Sequence, residues 1–402
     1  MIKRLLAVGL CLLLVLSPGM AALADEIDVD LKLDEDLPEA VQVISLAEDS
    51  IPAKSAVLMD QQSGRVLFEQ NADEPLAPAS ITKVMTLLLV VEALEEGKIT
   101  LEDKVVCSEL AASMGGSQIW LEPGEEMTVD ELLRAVSIAS ANDASVALAE
   151  HVAGSEPAFI DRMNKRATQL GMQNTHFYNC TGLDEEGHLT TARDVALASR
   201  ELISHPIIAE YSTIWMDELR NGETQLVNTN KLVRFYPGAT GLKTGTTSIA
   251  GSCLSATATR EGLSLVAVVL GAPNSDTRFA SARGLLNYGF ANYVSVTPPS
   301  VADRLTPVKV LHGVQDNVMP VYTSPGSIVV EKELEDKIEQ AITLAEDLQA
   351  PVTMGQVLGS VEIMVDGVVV GSYPLKAAQD VERMTFLKAF IILLGSLLQL
   401  HH

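Results

Sequence analysis

The sequence predicts an α+β protein in two domains: an antiparallel sheet covered by helices, then a small β-rich module leading into a C-terminal amphipathic helix. Three observations predict this. β-like runs open and close residues 51–294 while helical patterns fill the middle, an order that does not fit alternating βαβ units. The dipeptide Pro298-Pro299 marks a boundary before the β-rich runs of 298–378. Residues 380–400 are apolar apart from one polar stripe.

The elements follow in chain order. Lys3 and Arg4 precede an apolar run at 5–16, and Ala22-Leu23-Ala24 has the small-x-small form of a cleavage site, so 1–24 read as an export signal. The run is short for an anchor helix, which needs about 20 residues. Residues 25–50 are acidic, contain Pro38 and read as a leader or linker. Runs at 55–60 and 64–69 flank Gln61-Gln62-Ser63-Gly64 and fit a hairpin. Residues 81–94, rich in Val, Leu, Met and Thr, read as a buried helix. Thr128 with Glu131 forms a capping box. Ser155 caps a helix carrying Phe159, Met163 and Leu170 and ending at Gly171, and Thr190 or Thr191 opens another toward Leu202. Strand character returns at 242–257 and 263–270, followed by a helical run at 280–288.

Beyond Pro299, residues 308–311 and 318–321 read as strands, and 361–365 with 368–370 flank Asp366-Gly367, a strong hairpin cue. Asp380 is expected to cap a helix over 381–400 that sets Thr385, Lys388, Gly395 and Gln399 on one face. After Lys388 the remaining uncharged stretch is about 18 Å long at 1.5 Å per residue, against a bilayer core of about 30 Å. A helix lying at a membrane surface is therefore expected, rather than a spanning helix or one packed on its own β domain.

Composition fits an exported globular body. The formal charge is −25, and losing Lys3 and Arg4 with the signal takes it to −27. Nucleic acid and anionic polymers repel such a chain, so no nucleic acid is expected as a partner and recognition must be local. Cys11 sits mid-run in the signal, which argues against a lipoprotein. The mature chain keeps Cys107, Cys180 and Cys253, an odd count that does not make a disulfide framework. Cys180 reads as a small buried thiol rather than a nucleophile.

Three short strings carry chemistry: Ser80-Ile81-Thr82-Lys83, Ser140-Ala141-Asn142 and Lys243-Thr244-Gly245. A serine hydroxyl is a poor nucleophile until a base takes its proton. Three-residue spacing at a helix start puts Lys83 on the face of Ser80. As a base Lys83 must be neutral, against a free-lysine pKa of about 10.4. Burial, the positive end of the helix and a second lysine, with Lys243 the candidate, all favour the neutral amine. The Ser80 N–H supplies half of an oxyanion hole.

Ser140-Ala141-Asn142 interrupts a helical stretch, and such a break can aim a hydroxyl and an amide into a cleft; alone, it reads equally as a polar cap. Lys243-Thr244-Gly245 lies on an expected strand, where Gly245 admits a close substrate backbone and Lys243 supplies charge for a carboxylate. Each string alone is weak. Their order and wide spacing together point to an active-site serine enzyme.

Pro78-Ala79-Ser80-Ile81-Thr82-Lys83-Val84-Met85-Thr86, Ser140-Ala141-Asn142-Asp143-Ala144, Asn174-Thr175-His176-Phe177 and Gly241-Leu242-Lys243-Thr244-Gly245 closely resemble the D-alanyl-D-alanine carboxypeptidases among low-molecular-mass penicillin-binding proteins. The resemblance covers nearly the whole mature chain, including the signal and the amphipathic tail. It implies a penicillin-binding/β-lactamase-like catalytic domain and removal of the terminal D-alanine from peptidoglycan stem pentapeptides through an acyl-enzyme on Ser80. β-Lactam antibiotics would be covalent inhibitors, and no cofactor or metal is expected. Lys83 would take the serine proton, and Ser140 with Asn142 would relay protons and hold the substrate amide. Lys243 and Thr244 would grip the terminal carboxylate beside Gly245, and the Thr246 N–H would complete the oxyanion hole. The resemblance places the protein on the outer face of the cytoplasmic membrane or in the cell-wall space, attached to the membrane surface through its last helix.

Two departures stand out. Many relatives carry histidine where Thr181 precedes Gly182-Leu183, and some carry histidine at 246, so side-chain roles at those places do not transfer. Other chemistries lack their motifs: there is no G-x-S-x-G elbow and no H-E-x-x-H pair, His151, His176, His188, His205 and His312 being scattered. A class A β-lactamase would need a Glu-x-x-Leu-Asn segment between Asn142 and Lys243, which is missing. A non-catalytic wall- or drug-sensing binder would not need Ser80, Lys83, Asn142 and Lys243 together.

Overall fold

A computed structural model of the chain describes residues 50–399. The expected export signal, all but the last residue of the acidic leader, and residues 400–402 lie outside them. The chain divides into two compact units. One runs through Arg260 and includes Ser264–Gly289; the other takes Glu261–Leu263 and the chain from Phe290 onward.

The first unit is built on a five-stranded sheet. β1 (Ser55–Asp60) and β2 (Val66–Gln70) form the expected hairpin, in antiparallel register with Leu58 opposite Phe68. A 3-10 turn at Ala79–Thr82 then leads into α1 (Lys83–Glu95). Val84, Met85, Leu87, Leu88, Val90 and Val91 leave α1 no polar face, and all are buried. α2 (Val129–Ala139) starts from the predicted capping box: Thr128 Oγ1 accepts from Glu131 N at 3.1 Å, and Thr128 N donates to the Glu131 carboxylate at 2.8 Å. It stops where Ser140 turns left-handed, at φ 63°, and α3 (Asn142–Ala153) restarts two residues later.

Ser155 caps α4 (Glu156–Gln169) as expected. At α5 (Ala192–Ser204) the cap is Thr191, whose Oγ1 accepts from Asp194 N at 3.1 Å, while Thr190 Oγ1 pairs with Thr175 Oγ1. The β-rich stretch expected at 242–257 is a hairpin of β3 (Ala239–Thr247) and β4 (Gly251–Arg260); its turn is held by Ala250 N donating to Thr247 Oγ1. β5 (Leu263–Ala272) follows, and the sheet order is β2-β1-β5-β4-β3, with β1 antiparallel to β5. α6 (Ser275–Asn292) outruns the helix expected at 280–288, because the Asn274 side chain accepts from Thr277 N at 2.8 Å and starts it early. Val57, Met59, Val268 and Leu270 of the sheet share one core with Leu87, Leu88, Leu132 and Val136 of the helices.

In the second unit, the hairpin of Val357–Val365 and Val368–Ala377 turns at Asp366 and Gly367, with φ of 50° and 78° as a type I′ turn requires. These strands form the middle of a four-stranded sheet. The single strand expected at 318–321 divides at Met319. Val318 pairs with Val308, whereas Pro320, which has no N–H to donate, opens the edge strand Pro320–Tyr322 of the other sheet.

The tail also differs from expectation. Asp380 caps no helix: its carboxylate accepts from Met354 N at 2.7 Å, and Val381 and Arg383 bridge to Val352 and Gly313. Pairing to the β module outcompetes the local cap, and α7 (Phe386–Gln399) begins five residues late, with Thr385 Oγ1 accepting from Lys388 N. Phe386, Leu387, Phe390, Ile391, Ile392, Leu393 and Leu394 are exposed on it. Among the described residues no helix is long and apolar enough to cross a membrane.

Candidate active site

The three strings converge around Lys83. Its side chain is fully buried, and Nζ lies 3.0 Å from Ser80 Oγ, 2.5 Å from Asn142 Oδ1 and 2.8 Å from the Thr181 carbonyl oxygen. The first contact comes from helical spacing within the turn that opens α1; the other two cross the fold. Asn142, the first residue of α3, is itself fixed: its side-chain amide donates to Gly115 O at 2.8 Å and its backbone N–H to Ser117 O at 2.7 Å. The left-handed turn at Ser140 buries that hydroxyl with no hydrogen-bond partner, so a donor and acceptor stands ready for an incoming group.

Lys243, Thr244, Gly245 and Thr246 lie along β3, the edge strand of the described sheet. Lys243 is buried and its Nζ reaches Thr244 O at 3.1 Å, and Thr244 Oγ1 donates to Thr229 Oγ1 at 2.7 Å. Gly245 also makes room within the protein itself. A Cβ there would lie 2.8 Å from Ser80 N, so the missing side chain admits the protein's own nucleophile turn. That packing sets the Ser80 N–H beside the strand that carries Thr246. Thr246 is half-buried, and its Oγ1 accepts from the buried guanidinium of Arg278 at 2.6 Å.

Sequence reasoning missed several contributors. Arg278, Gly115, Ser117 and Thr229 carry no motif. Thr181 contributes a backbone carbonyl to Lys83, and its hydroxyl turns to Asn179 instead. Asp184 accepts from Thr247 Oγ1 at 2.8 Å, tying the 179–184 loop to the end of β3. His188, read as one of several scattered histidines, lies against the nucleophile turn: its Nε2 is 2.9 Å from Thr82 Oγ1, and Tyr178 N donates to its Nδ1 at 3.2 Å. Burial, with His176 nearby, lowers its pKa from 6.5 to about 4. Its exact spacing to Thr-Lys in the first string was invisible, because the two are 106 residues apart.

Cys180 is fully buried, and burial followed by the neighbouring Glu156 carboxylate pushes its thiol well above the ordinary range, as a structural thiol requires. Among the described residues, one trio of potential metal ligands comes together, Glu92, Glu201 and His205. Arg166 bridges both carboxylates, at 2.7 and 2.5 Å, and His205 Nδ1 faces Glu95 at 2.8 Å, which makes an ion-pair network of the trio.

A serine hydroxyl beside a buried lysine, a second lysine on an edge strand, and backbone N–H groups brought together by a glycine define an acyl-transferring serine hydrolase. The particular family follows from comparison. Residues 42–274 match the D-alanyl-D-alanine carboxypeptidase family model, and 295–383 match the penicillin-binding protein 5 C-terminal domain. D-alanyl-D-alanine carboxypeptidase DacF of Bacillus subtilis is 44% identical over 84% of this chain and 88% of its own length. The structure of penicillin-binding protein 5 from Haemophilus influenzae is similar with a TM-score of 0.77 and 32% identity, covering 84% of this chain and all of that one. The ampicillin-bound penicillin-binding protein D2 of Listeria monocytogenes is similar over 61% of this chain and all of that one, with a TM-score of 0.56 and 32% identity. The chain belongs to the D-alanyl-D-alanine carboxypeptidase family of serine-type, penicillin-binding hydrolases.

Proposed function

We propose that Ser80 removes the terminal D-alanine of peptidoglycan stem pentapeptides through an acyl-enzyme. The observation that carries this reading is the Lys83 amine, buried and 3.0 Å from Ser80 Oγ. Ser80 Oγ attacks the carbonyl carbon of the penultimate D-alanine and its proton passes to neutral Lys83 Nζ. The negative charge that develops on the carbonyl oxygen rests between the N–H groups of Ser80 and Thr246. The C–N bond then breaks, and the departing amine takes a proton relayed through Ser140, while Asn142 holds the substrate amide. Lys243 and Thr244 bind the terminal carboxylate beside Gly245, and the peptide lies along β3 as an added strand. Water, deprotonated by Lys83, releases the four-residue acyl group and restores Ser80. β-Lactams acylate the same oxygen.

The remaining architecture belongs to the same reading: an export signal at 1–24, a leader at 25–50, a peptidase domain at 51–294 and a β-rich domain at 298–378. The tail attaches the exported enzyme to the outer face of the cytoplasmic membrane, its exposed apolar residues at the lipid surface and Lys388 at the polar boundary. Mass spectrometry of a pentapeptide muropeptide incubated with the chain tests the chemistry. Loss of one alanine is expected, with Ser80→Ala at least about 10³-fold slower. An unaltered pentapeptide, or equal loss with Ser80→Ala, would refute it.

A further inference from the structure

Trp120 is 71% exposed, and it holds a left-handed backbone, φ 60°. A single exposed aromatic needs no explanation, but a bulky residue at positive φ is a genuine outlier, and such strain persists only where the surroundings enforce it. Here they do. The residues on either side, Ile119 and Leu121, are buried, and both donate their N–H groups to the fully buried carboxylate of Asp143, at 3.1 and 3.0 Å. Arg220 takes the Ile119 carbonyl at 2.8 Å while its guanidinium pairs with Glu125. The chain is thus pinned on both sides of one residue, and that residue is turned out to solvent.

The pinned loop is part of the site. Asn142, the neighbour of Asp143, donates to Gly115 O and Ser117 O of the same loop while its Oδ1 holds Lys83. Trp120 lies three residues from Ser117, at most about 11 Å between Cα atoms. The acyl portion of a stem pentapeptide has four residues, about 14 Å when extended, so the sugar that carries the stem lies about that far from Ser80, and the loop bearing Trp120 adjoins the Asn142 and Lys83 that stand beside Ser80. The indole, 71% exposed, offers a flat face to solvent, which suits the C–H face of a pyranose.

Resting on the carboxypeptidase reading, we propose that Trp120 is a specificity-determining residue that stacks on the amino-sugar ring of the muropeptide and favours glycan-attached stems over free peptides.

The test compares two substrates on the full chain: a disaccharide pentapeptide and a sugar-free N-acylated pentapeptide. Trp120→Ala should lose roughly five- to tenfold in kcat/KM on the sugar-bearing substrate, through KM, and nothing on the sugar-free one. Trp120→Phe should recover most of the loss, and penicillin should acylate all three proteins at one rate, showing an intact site. Equal losses on both substrates, or none on either, would overturn the proposal. Wild-type chain that cleaves neither substrate would instead remove the activity reading beneath it.

Discussion

Lys83 Nζ meets oxygens from three parts of the chain, Ser80 Oγ, Asn142 Oδ1 and the Thr181 carbonyl. His188 performs a quieter task next to it. Because Tyr178 N donates to Nδ1, the ring hydrogen resides on Nε2 and is donated to Thr82 Oγ1, so the neutral imidazole joins the nucleophile turn to the 178–188 loop. Burial lowers the folded pKa to about 4 from 6.5. The unfolded chain therefore binds the proton more readily, and stability held above about pH 6.5 is lost as pH falls through 4. That difference is worth about 3 kcal/mol. Urea unfolding read by tryptophan fluorescence reports the first unit alone, since Trp120 and Trp215 both lie in it. Wild type should weaken over this window relative to His188→Gln; parallel pH slopes in the two proteins would contradict the assignment.

The active elements meet without spare volume. The turn carrying Ser80 is clasped between the 179–184 loop and β3, and a glycine stands at each contact. A Cβ on Gly182 would lie 1.9 Å from Ala79 O, and one on Gly245 would lie 2.8 Å from Ser80 N. Gly182 also holds φ at 89°, a region closed to most side chains. Gly182→Ala is expected to destabilise the first unit by about 3 kcal/mol and to slow penicillin acylation of the protein that remains folded. Acylation at the wild-type rate per folded molecule, counted by intact mass after urea titration, would show that the clasp does not position Ser80.

At the scale of the molecule, a strongly acidic chain ends in a helix whose exposed residues are almost all apolar. Bulk charge opposes attraction to anionic lipid, so the membrane attachment proposed for this helix would come from apolar burial. A chain ending after Thr385 keeps the Val352–Val381 and Gly313–Arg383 bridges and loses only α7. Full-length protein should sediment with zwitterionic vesicles, and the shortened protein should stay in the supernatant with its carboxypeptidase activity unchanged. Co-sedimentation of the shortened chain would place the membrane contact elsewhere.

Much of this was legible in the residues. The capping box at Thr128, the Ser155 cap, the Asp366-Gly367 turn and the Ser80 to Lys83 spacing are local, each set by atoms a few residues apart, and each stands as read. Local signals failed where a distant partner offered more: Asp380 had the form of a helix cap, yet Met354 N and the pairing of Val381 to Val352 hold it extended. The strings named the chemistry, because serine, lysine and asparagine are rare enough in that order to carry information. They could not name the oxygens around Lys83 or the turn behind Gly245. Every residue has a backbone carbonyl, so nothing in a side chain distinguishes Thr181 from its neighbours until folding brings it across 98 residues to the amine it serves.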